Sequence, residues 1–568
     1  MNSILRVNVS DGSIRKEPVP KDYGTLGGRA LTARILLDEV KPTCEPLGPH
    51  NKLIFACGLL SGTSVSSCGR LSIGAKSPLT GGIKESNAGG ITAMRMARIG
   101  IRAIIVEGLP KDDSAKILLV EPEKASLLPA DEHAGLGVYE TAKNLLENYS
   151  QSAVTCIGPA GELQLASAGI ATIDSDGVPS RFSGRGGLGA VMGCKGLKAV
   201  VVKGRGKIIP ARKDEFIKIS RELNNAIISA PLTAAYRDYG TAAMVEYINE
   251  LNGLPICNFS RGKDDKAKNI GGDAMREMIV ERGGEGRTDH ACMPGCLVRC
   301  SNVFVDKNGY TLVSPLEYET IGLLGCNLDI WKLDDIAKLN YHCNNIGVDT
   351  IEIGAAIGVM MEANLMRFGD FEGVMKVLDE VRRGTIVGRL LGSGAMITGK
   401  VLGVKNIPVV KGQAMAAYDP RAIKGMGVTY ATSAMGADHT AGPAARAPVD
   451  HSKAEGKAQL SRKLQKLLGV FDATGLCLFT IGGVAANKRM VLDALNALYG
   501  WDHNMEWLDG MCIQMLNDEI RFNELAGITA AHHRLSEAFT EREMPGICSV
   551  FDVTDQDIES VFDYDQQD

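Results

Sequence analysis

Three cysteines, Cys292, Cys296 and Cys300, lie four residues apart in the segment HACMPGCLVRC. On a regular helix the first and the last would be about 12 Å apart, which is too far for thiolates that share one small centre. Pro294-Gly295 is a strong turn signal, so we expect the backbone to fold over and bring the three sulfurs together. Such a group suits a zinc ion or an iron–sulfur cluster, and either needs one more ligand. Three unrelated buried cysteines are the alternative interpretation.

The fourth ligand must come from another part of the chain. His290 is adjacent, and Cys477 in DATGLC follows a glycine turn after a long helical segment. Zinc sites usually take their ligands as two close pairs, and the sequence has no second pair. The spacing also differs from the C-x3-C-x2-C triplet of radical enzymes that use S-adenosylmethionine. The residues alone therefore leave the centre and its fourth ligand open, and isolated cysteines such as Cys57, Cys156 and Cys512 are typical of small buried hydrophobes.

Two glycine-rich segments carry arginines. Residues 66–90 contain Arg70 and Asn87, and residues 181–204 contain Arg185. Both segments combine backbone N–H groups with guanidinium groups, which suits phosphate or another anionic ligand. Glycine-rich turns in a tight sheet are the alternative.

The second segment formally matches G-x-G-x-x-G through Gly184, Gly186 and Gly189. The preceding residues, IDSDGVPSRFS, do not read as an apolar strand, and no acidic residue follows until Asp214. A Rossmann dinucleotide site is therefore disfavoured.

The amino-acid composition limits which classes of protein are possible. The 568 residues predict two to four domains, and 45% hydrophobic and 23% charged residues are ordinary for a globular protein. A net charge of −5 disfavours a nucleic-acid partner. The longest apolar run, IGAAIGVMM, is far short of the ~20 residues that cross a bilayer, and the start has no signal-peptide pattern. We therefore expect a cytoplasmic protein with no membrane span, whose 14 cysteines are reduced thiols or metal ligands.

The type of secondary structure that must position these residues changes along the chain. Residues 1–208 hold short β-type runs such as ILRVNV and KAVVVKG, with a DG hairpin signal, and predict an antiparallel or mixed sheet layer. From 209 the apolar spacing is helical, and we predict domains at 1–208, 209–410 and 411–568. No fixed-period repeat is visible. The acidic end, FDVTDQDIESVFDYDQQD, is interpreted as a solvated tail.

Several segments together resemble motifs of the aldehyde:ferredoxin oxidoreductase family of tungsten or molybdenum bis-pterin enzymes. They occur in the expected order and read GRLSIGAKSPLTGGIKESNAGG, SRFSGRGGLGAVMGCKGLKA, HACMPGCLVRCSN, PLEYET, NNIGVD, DPRAIKGMGVTYATSAMGADH and DATGLC. The resemblance implies an α+β fold, with an N-terminal β-rich, saddle-like pterin-binding domain followed by two mostly α-helical domains. It also implies oxidation of an aldehyde, with electrons passed to ferredoxin or a ferredoxin-like iron–sulfur subunit.

The resemblance implies a [4Fe–4S] cluster held by Cys292, Cys296, Cys300 and Cys477. Many relatives have C-x2-C-x3-C where this chain has C-x3-C-x3-C, which shifts the loop without removing a ligand. Two pyranopterins would hold tungsten or molybdenum through their own sulfurs, with a Mg²⁺ bridging their phosphates near the Asn87 backbone oxygen.

The residues implied in pterin or phosphate binding come from the glycine-rich segments and from the motifs DATGLC and NNIGVD. They are Arg70, Asn87, Gly89, Arg185, Gly186, Asn344, Gly347, Asp349, Asp472, Gly475 and Leu476. Asn344 stands where the family often has Asp. An uncharged amide still forms hydrogen bonds, but with a different set of donors.

Oxidation of an aldehyde with water needs a proton acceptor and a group that orients the carbonyl. The resemblance assigns Glu319 as general base and His439 as the hydrogen-bond partner of the carbonyl or a metal-oxo oxygen. Glu317 is the competing carboxylate, on the same side as Glu319 in a strand and on a different side in a helix. The adjacent His532 and His533 would diverge on a helix and are not interpreted as a metal pair.

Two other functions stay open. The first is a reductase of an activated acid or aromatic ring that uses the same cofactors. The second, from a different class of protein, is a scaffold that holds zinc or a cluster without catalysis. The sequence does not choose tungsten over molybdenum, because no side chain needs to touch that metal. A homodimer is an expectation from relatives only.

Overall fold

The computed structural model describes residues 3–112 and 114–566. Its N-terminal part contains two six-stranded sheets. The first consists of β1 (Ser3–Asn8), β2 (Ile14–Pro18), β3 (Leu53–Cys57), β4 (Leu71–Lys76), β5 (Ile83–Ala88) and β6 (Ile101–Glu107). The second consists of β7 (Lys116–Val120), β8 (Ala125–Pro129), β9 (Ala153–Cys156), β10 (Ile170–Thr172), β11 (Arg181–Ser183) and β12 (Leu197–Val202). The helices of this part are α1 (Gly28–Glu39), α2 (Thr92–Arg98), α3 (Val138–Asn148), α4 (Pro159–Glu162) and α5 (Leu188–Cys194).

Both sheets are mixed, as predicted. The strand order is β2-β1-β6-β3-β4-β5 in the first and β8-β7-β12-β9-β10-β11 in the second. In each sheet a hairpin forms one edge, and its first strand pairs in parallel with the last strand of the unit. The DG signal lies in the first of these hairpins, which confirms that prediction.

The two sheets are copies of one unit: a hairpin, a helix, three strands, a helix and a parallel strand. Glycines with positive φ recur at one constant separation, as Gly90 and Gly186, Gly100 and Gly196, and Gly108 and Gly204. The sequence shows no fixed-period repeat, and the duplicated arrangement becomes visible only in the strand order. The copies differ in length between the hairpin and the third strand, so no single period runs through them.

The sheets face each other across a shared apolar core that contains Phe55 and Leu118, with α2 and α5 between them. The first sheet is covered on its outer face by α1, and the second by α3. Each buried sheet face thus finds an apolar partner, as a stable layer requires.

Beyond Arg212 the chain is mostly helical. This confirms the predicted change from strands to helices and the α+β class. The helices are α6 (Lys213–Ser229), α7 (Pro231–Tyr239), α8 (Met244–Glu250), α9 (Ile256–Phe259), α10 (Gly272–Arg282), α11 (Tyr318–Leu324), α12 (Leu333–Ile346), α13 (Thr350–Glu362), α14 (Phe371–Arg383), α15 (Ile386–Gly392), α16 (Ala395–Leu402), α17 (Lys424–Thr432), α18 (Lys457–Thr474), α19 (Ile481–Val484), α20 (Lys488–Tyr499), α21 (Met505–Leu525), α22 (Glu537–Thr540) and α23 (Asp555–Ser560).

Short strands interrupt this helical part. They are β13 (Arg287–His290), β14 (Ser301–Val305), β15 (Thr311–Val313), β16 (Val409–Val410) and β17 (Gln413–Ala414). The cysteine segment is the connection between the antiparallel strands β13 and β14, so both of its ends are fixed. The sequence analysis did not anticipate these strands.

The acidic C-terminal segment packs against the helices instead of extending into solvent. Phe551, Ile558, Val561 and Tyr564 are buried, and the Tyr564 hydroxyl donates to Gln465 Oε1 at 3.0 Å. The prediction of a solvated tail is therefore wrong for residues 551–566. Its last two residues, 567 and 568, lie outside the described residues.

Within the described residues, no single helix has the length and apolar character to cross a membrane. One pair of helices, Lys457–Thr474 with Leu478–Tyr499, meets the length and composition criteria only when taken together, and it is bent by 114°. The domain boundaries near 208 and 410 stay predictions.

Candidate functional site

The cysteine loop contains the predicted turn. The N–H of Cys296 donates to the carbonyl of Met293 at 3.2 Å, and Gly295 adopts a φ of +77°. Residues with a side chain rarely adopt this conformation, so a glycine is required at the turn. Cys292, Cys296 and Cys300 are all partly buried.

Ser67 joins this loop to Cys477. Its carbonyl accepts the N–H of Cys477 at 2.8 Å, and its hydroxyl donates to the sulfur of Cys296 at 3.5 Å. Burial raises the pKa of Cys300, and the nearby Glu317, Cys477 and Cys296 raise it further. The structure therefore brings the three loop cysteines and Cys477 into one group, which we name the cysteine group.

Two members of the cysteine group interact directly. The hydrogen bond between Cys292 and Cys296 lowers the pKa of Cys296 to about 5 and raises the pKa of Cys292. A lowered pKa favours the thiolate, the form in which cysteine binds metals.

His290, the other candidate fourth ligand, is engaged elsewhere. Its Nδ1 lies 3.2 Å from Arg181 Nη2, and its Nε2 lies 3.1 Å from Asp176 Oδ2. Across the described ranges, no three His, Cys, Asp or Glu side chains are close enough to hold a single metal ion.

Beside the cysteine group lies a polar cluster that we name the first half-site, formed by Arg29, Arg70, Glu85, Asn87 and Asp472. Arg70 Nη2 donates to the Asn87 carbonyl at 2.9 Å, and its Nε donates to Asn87 Oδ1. Arg70 Nη1 lies 3.9 Å from the sulfur of Cys477. Asn87 Nδ2 donates to Asp472 Oδ1 at 3.3 Å. Arg70 therefore links the first half-site to the cysteine group.

Arg29 holds the carboxylates of the first half-site together. It binds Asp472 at 3.1 Å and forms two bonds to Glu519, at 2.7 and 2.8 Å. Burial and the charge of Asp472 raise the pKa of Glu85 to about 8. Glu85 Oε1 is buried and has no hydrogen-bond partner within the described residues, so a polar ligand would satisfy it.

A second half-site contains Tyr139, Ser183, Arg185, Asn344 and Asp349. Arg185 Nη1 donates to the carbonyl of Ala437 at 2.6 Å, and its Nε lies 3.4 Å from Asp349 Oδ2. Asn344 Nδ2 donates to the Tyr139 hydroxyl at 3.3 Å. This half-site therefore has one arginine and an uncharged pair.

The two half-sites are built on equivalent helix ends. Helix α18 ends at a left-handed Gly475 with φ +79°, and α12 ends at a left-handed Gly347 with φ +83°. A Cβ on Gly58 would stand 2.1 Å from the nitrogen of Gly475, and one on Gly158 would stand 2.4 Å from the oxygen of Ile346. Each sheet thus packs directly on one helix end; Leu476, beside the first, is fully buried.

The remaining predicted glycines allow close approach of other groups. A Cβ on Gly89 would stand 3.0 Å from the sulfur of Cys292, and one on Gly186 would stand 2.5 Å from Cγ of Lys84. Lys84 pairs with Asp438 at 3.0 Å. Gly89 therefore lies at the contact between the first sheet and the cysteine loop.

Glu319 and His439 lie side by side. Glu319 Oε1 is 3.5 Å from His439 Nε2, and Glu319 Oε2 accepts the N–H of Ala417 at 2.8 Å. Glu319 Oε1 and His439 Nδ1 are buried and have no hydrogen-bond partner within the described residues. Both atoms are therefore available to a bound molecule.

Glu317 points away from Glu319, because it lies in extended backbone just before the helix that carries Glu319. It precedes Tyr318, the first residue of α11, and accepts a hydrogen bond from the hydroxyl of Thr241. Burial raises its pKa. It lies near Cys300, whose pKa it raises, whereas Glu319 lies near His439.

Three tyrosines enclose the Glu319–His439 pair. The ring of Tyr418 lies 6.2 Å from the His439 ring and 5.3 Å from the ring of Tyr318. Burial raises the pKa of Tyr318, Tyr418 and Tyr430 well above the ordinary value, so all three hydroxyls stay protonated. The sequence analysis missed them, because isolated tyrosines have no diagnostic spacing.

His532 and His533 do not form a pair. His532 Nδ1 accepts the N–H of Thr529 at 3.1 Å, while the His533 ring packs on Phe562 with ring centres 4.5 Å apart. Burial lowers the pKa of His533 to about 3.

Unpaired buried polar atoms occur in both half-sites and between Glu319 and His439. They are Glu85 Oε1, Ser183 Oγ, Glu319 Oε1 and His439 Nδ1. Leaving such atoms without partners costs about 1–3 kcal/mol each, so a polar ligand that pairs with them is expected. The two arginines suit phosphate groups, and the acceptor oxygens suit pterin N–H groups. The residues present therefore fit a pair of phosphate-bearing pterins.

The structure places the cysteine group beside a polar, arginine-containing cluster. A family model described as aldehyde ferredoxin oxidoreductase, N-terminal domain, matches residues 4–204, and one described as domains 2 and 3 of the same enzyme matches residues 218–561. The chain belongs to the aldehyde ferredoxin oxidoreductase family, and it is an oxidoreductase.

Individual relatives agree with this. A tungsten-containing aldehyde ferredoxin oxidoreductase of Pyrococcus furiosus is 33% identical, over 95% of this chain and 91% of that protein. The WOR-like subunit of an aliphatic sulfonate oxidoreductase of the same organism is 26% identical, over 77% of this chain and 73% of that protein. The solved structure of the BamBC complex of benzoyl coenzyme A reductase, bound to 1,5-dienoyl-CoA, matches with a TM-score of 0.79 over 99% of this chain and 93% of that chain. At 19% identity this last likeness shows the fold alone.

Proposed function

We propose that the protein is a tungsten- or molybdenum-dependent bis-pyranopterin oxidoreductase that oxidises aldehydes to carboxylic acids. Water supplies the oxygen, and electrons leave through a [4Fe–4S] cluster to ferredoxin or a partner iron–sulfur subunit. The observation that carries the proposal is the position of Arg70, which contacts both Asn87 of the first half-site and the sulfur of Cys477. One side chain thus spans the proposed pterin site and the proposed cluster site.

The cysteine group would hold the cluster through four thiolates. The first half-site would hold one pterin through Arg70, Asn87 and the DATGLC motif, and the second would hold the other through Arg185 and the NNIGVD motif. The Asn87 carbonyl, which accepts a hydrogen bond from Arg70, has a second lone pair for Mg²⁺. When bound, the pterin-held metal would accept two electrons from the substrate, and the iron–sulfur cluster would pass them on one at a time.

The protein's own contribution is proton transfer and orientation. Oxidation of an aldehyde by water releases two electrons and two protons, so a base must be close to the reacting carbon. Glu319 Oε1 has no partner within the described residues and would accept a proton from water or substrate. His439 would donate a hydrogen bond to the carbonyl oxygen and thereby orient it. The surrounding tyrosines would exclude bulk water, which strengthens these interactions.

An anaerobic assay tests this proposal. The purified protein should reduce benzyl viologen when short aliphatic or aromatic aldehydes are added, and the product should be the corresponding acid. A second arm supplies reduced viologen with benzoyl-CoA or a free carboxylic acid, and it tests the reductive alternative. Turnover in the second arm only would overturn the proposed direction, and turnover in neither arm would overturn the proposed substrate class.

A further inference from the structure

The duplicated N-terminal unit gives the two half-sites equivalent positions. Arg29 is the second residue of α1, and Tyr139 is the second residue of α3; both helices begin after a glycine. Asp472 and Asn344 are each the third residue from the end of a helix that closes with a left-handed glycine. The fold therefore presents Arg29 to Asp472 and Tyr139 to Asn344 in the same way.

The chemistry of the two pairs differs. Arg29 binds Asp472 at 3.1 Å, so the first pair is ionic. Asn344 donates to the Tyr139 hydroxyl at 3.3 Å, so the second pair is neutral. The Tyr139 ring stacks on Tyr341, with ring centres 4.8 Å apart, and this contact fixes the position of its hydroxyl.

We propose that Tyr139 and Asn344 are the neutral counterpart of Arg29 and Asp472, a positioning pair that holds the second pterin and requires an uncharged residue at position 344. The inference rests on the proposed function, because it assigns one pterin to each half-site. It explains why the motif reads NNIGVD in one half and DATGLC in the other.

The amide supplies what a pterin needs without adding charge. Asn344 Nδ2 is used by Tyr139, and no described residue donates a hydrogen bond to Oδ1, which leaves that oxygen as an acceptor for pterin N–H groups. Asn344 is only 6% exposed, so a carboxylate here would be a buried charge.

Within the described residues, the arginine of the second half-site is already matched by carboxyl groups. Arg185 already faces Asp349, Asp438 and Glu352. A carboxylate at position 344 would face a phenol, whereas Asp472 faces Arg29. An unpaired buried charge is strongly unfavourable, so the residue at 344 and its partner at 139 must match in charge.

The test uses Asn344→Asp, the double variant Asn344→Asp/Tyr139→Arg, and the control Asn364→Asp, which adds the same charge at an exposed position. Tungsten or molybdenum is measured by elemental analysis and pterin by the fluorescence of its oxidised form, both per folded chain as judged by circular dichroism. We expect Asn344→Asp to lower the pterin content at least about tenfold, the usual cost of removing a residue that orients a bound group. The double variant should recover most of the content, and the control should equal the wild type.

A folded Asn344→Asp protein with full pterin content would overturn the inference. If that variant does not fold, the double variant decides: a loaded double variant supports charge matching, and an empty one overturns it. A purely structural role would not be restored by adding arginine at position 139. A wild-type protein without metal and pterin would instead overturn the proposed function, so the two failures are distinguishable.

Discussion

Arg70 Nη1 lies 3.9 Å from the sulfur of Cys477, so a cation of the first half-site touches the cysteine group. Positive charge and hydrogen bonds at a ligand sulfur stabilise the reduced, more negative form of an iron–sulfur cluster. We therefore expect Arg70→Gln to shift the cluster potential to more negative values in an EPR-monitored redox titration. Arg299→Gln is the control, because that guanidinium is 46% exposed and its charge is screened by solvent. Equal potentials for Arg70→Gln and the wild type would contradict the assigned contact.

Cys477 is separated from the cysteine loop in sequence but joined to it by Ser67. If it is the fourth ligand, Cys477→Ala should reduce the iron content from about four atoms to about three or fewer, with loss of the visible absorption of the cluster. Cys512→Ala is the matched control, because Cys512 is also buried but is not part of the cysteine group. The assignment of Cys477 would be wrong if both variants kept their iron.

Glu319 is expected to act on protons, not on cofactor binding. Glu319→Gln should lower turnover by at least ~10²-fold, the contribution of a general base, while metal and pterin contents stay unchanged. Glu317→Gln provides the comparison, because Glu317 lies just before α11 and accepts a hydrogen bond from Thr241 instead of facing His439. The turnover of both variants is measured by steady-state kinetics with an aldehyde as substrate and viologen as electron acceptor. If Glu317→Gln lost more of its kcat than Glu319→Gln, Glu317 and not Glu319 would be the general base.

Glu85 predicts a pH dependence of stability in protein freed of its cofactors. Burial and Asp472 raise its folded pKa from 4.5 to about 8. Between these values the folded state binds more protons than the unfolded state, so its stability falls as the pH rises from 4.5 to 8. Thermal unfolding of the apoprotein at a series of pH values should show this decline, and Glu85→Gln should make it shallower. An unchanged decline in the variant would place its origin in another group.

Much of the fold could be predicted from local pattern. The helical apolar spacing beyond residue 209, the DG hairpin and the Pro294-Gly295 turn are local signals, and the structure contains all of them. The duplicated arrangement was not visible because its two copies differ in length. The packed acidic tail was missed because charge suggested solvent, whereas the buried Ile558 and Val561 decide its position.

The site depends on contacts between residues far apart in the chain, which spacing does not reveal. The loop cysteines were visible as a group, but Ser67 and Arg29 became relevant only once the fold placed them beside Cys477 and Asp472. The pairing of Tyr139 with Asn344 likewise depends on the duplicated unit. Asn344 departs from the family motif in the sequence, and its partner Tyr139 is visible only in the structure.

The central claim is that the chain holds a pterin-bound heavy metal beside an iron–sulfur cluster, and elemental analysis of anaerobically purified protein tests it most directly. We predict about one tungsten or molybdenum atom and about four iron atoms per chain. Zinc in place of both, or iron without the heavy metal, would contradict it.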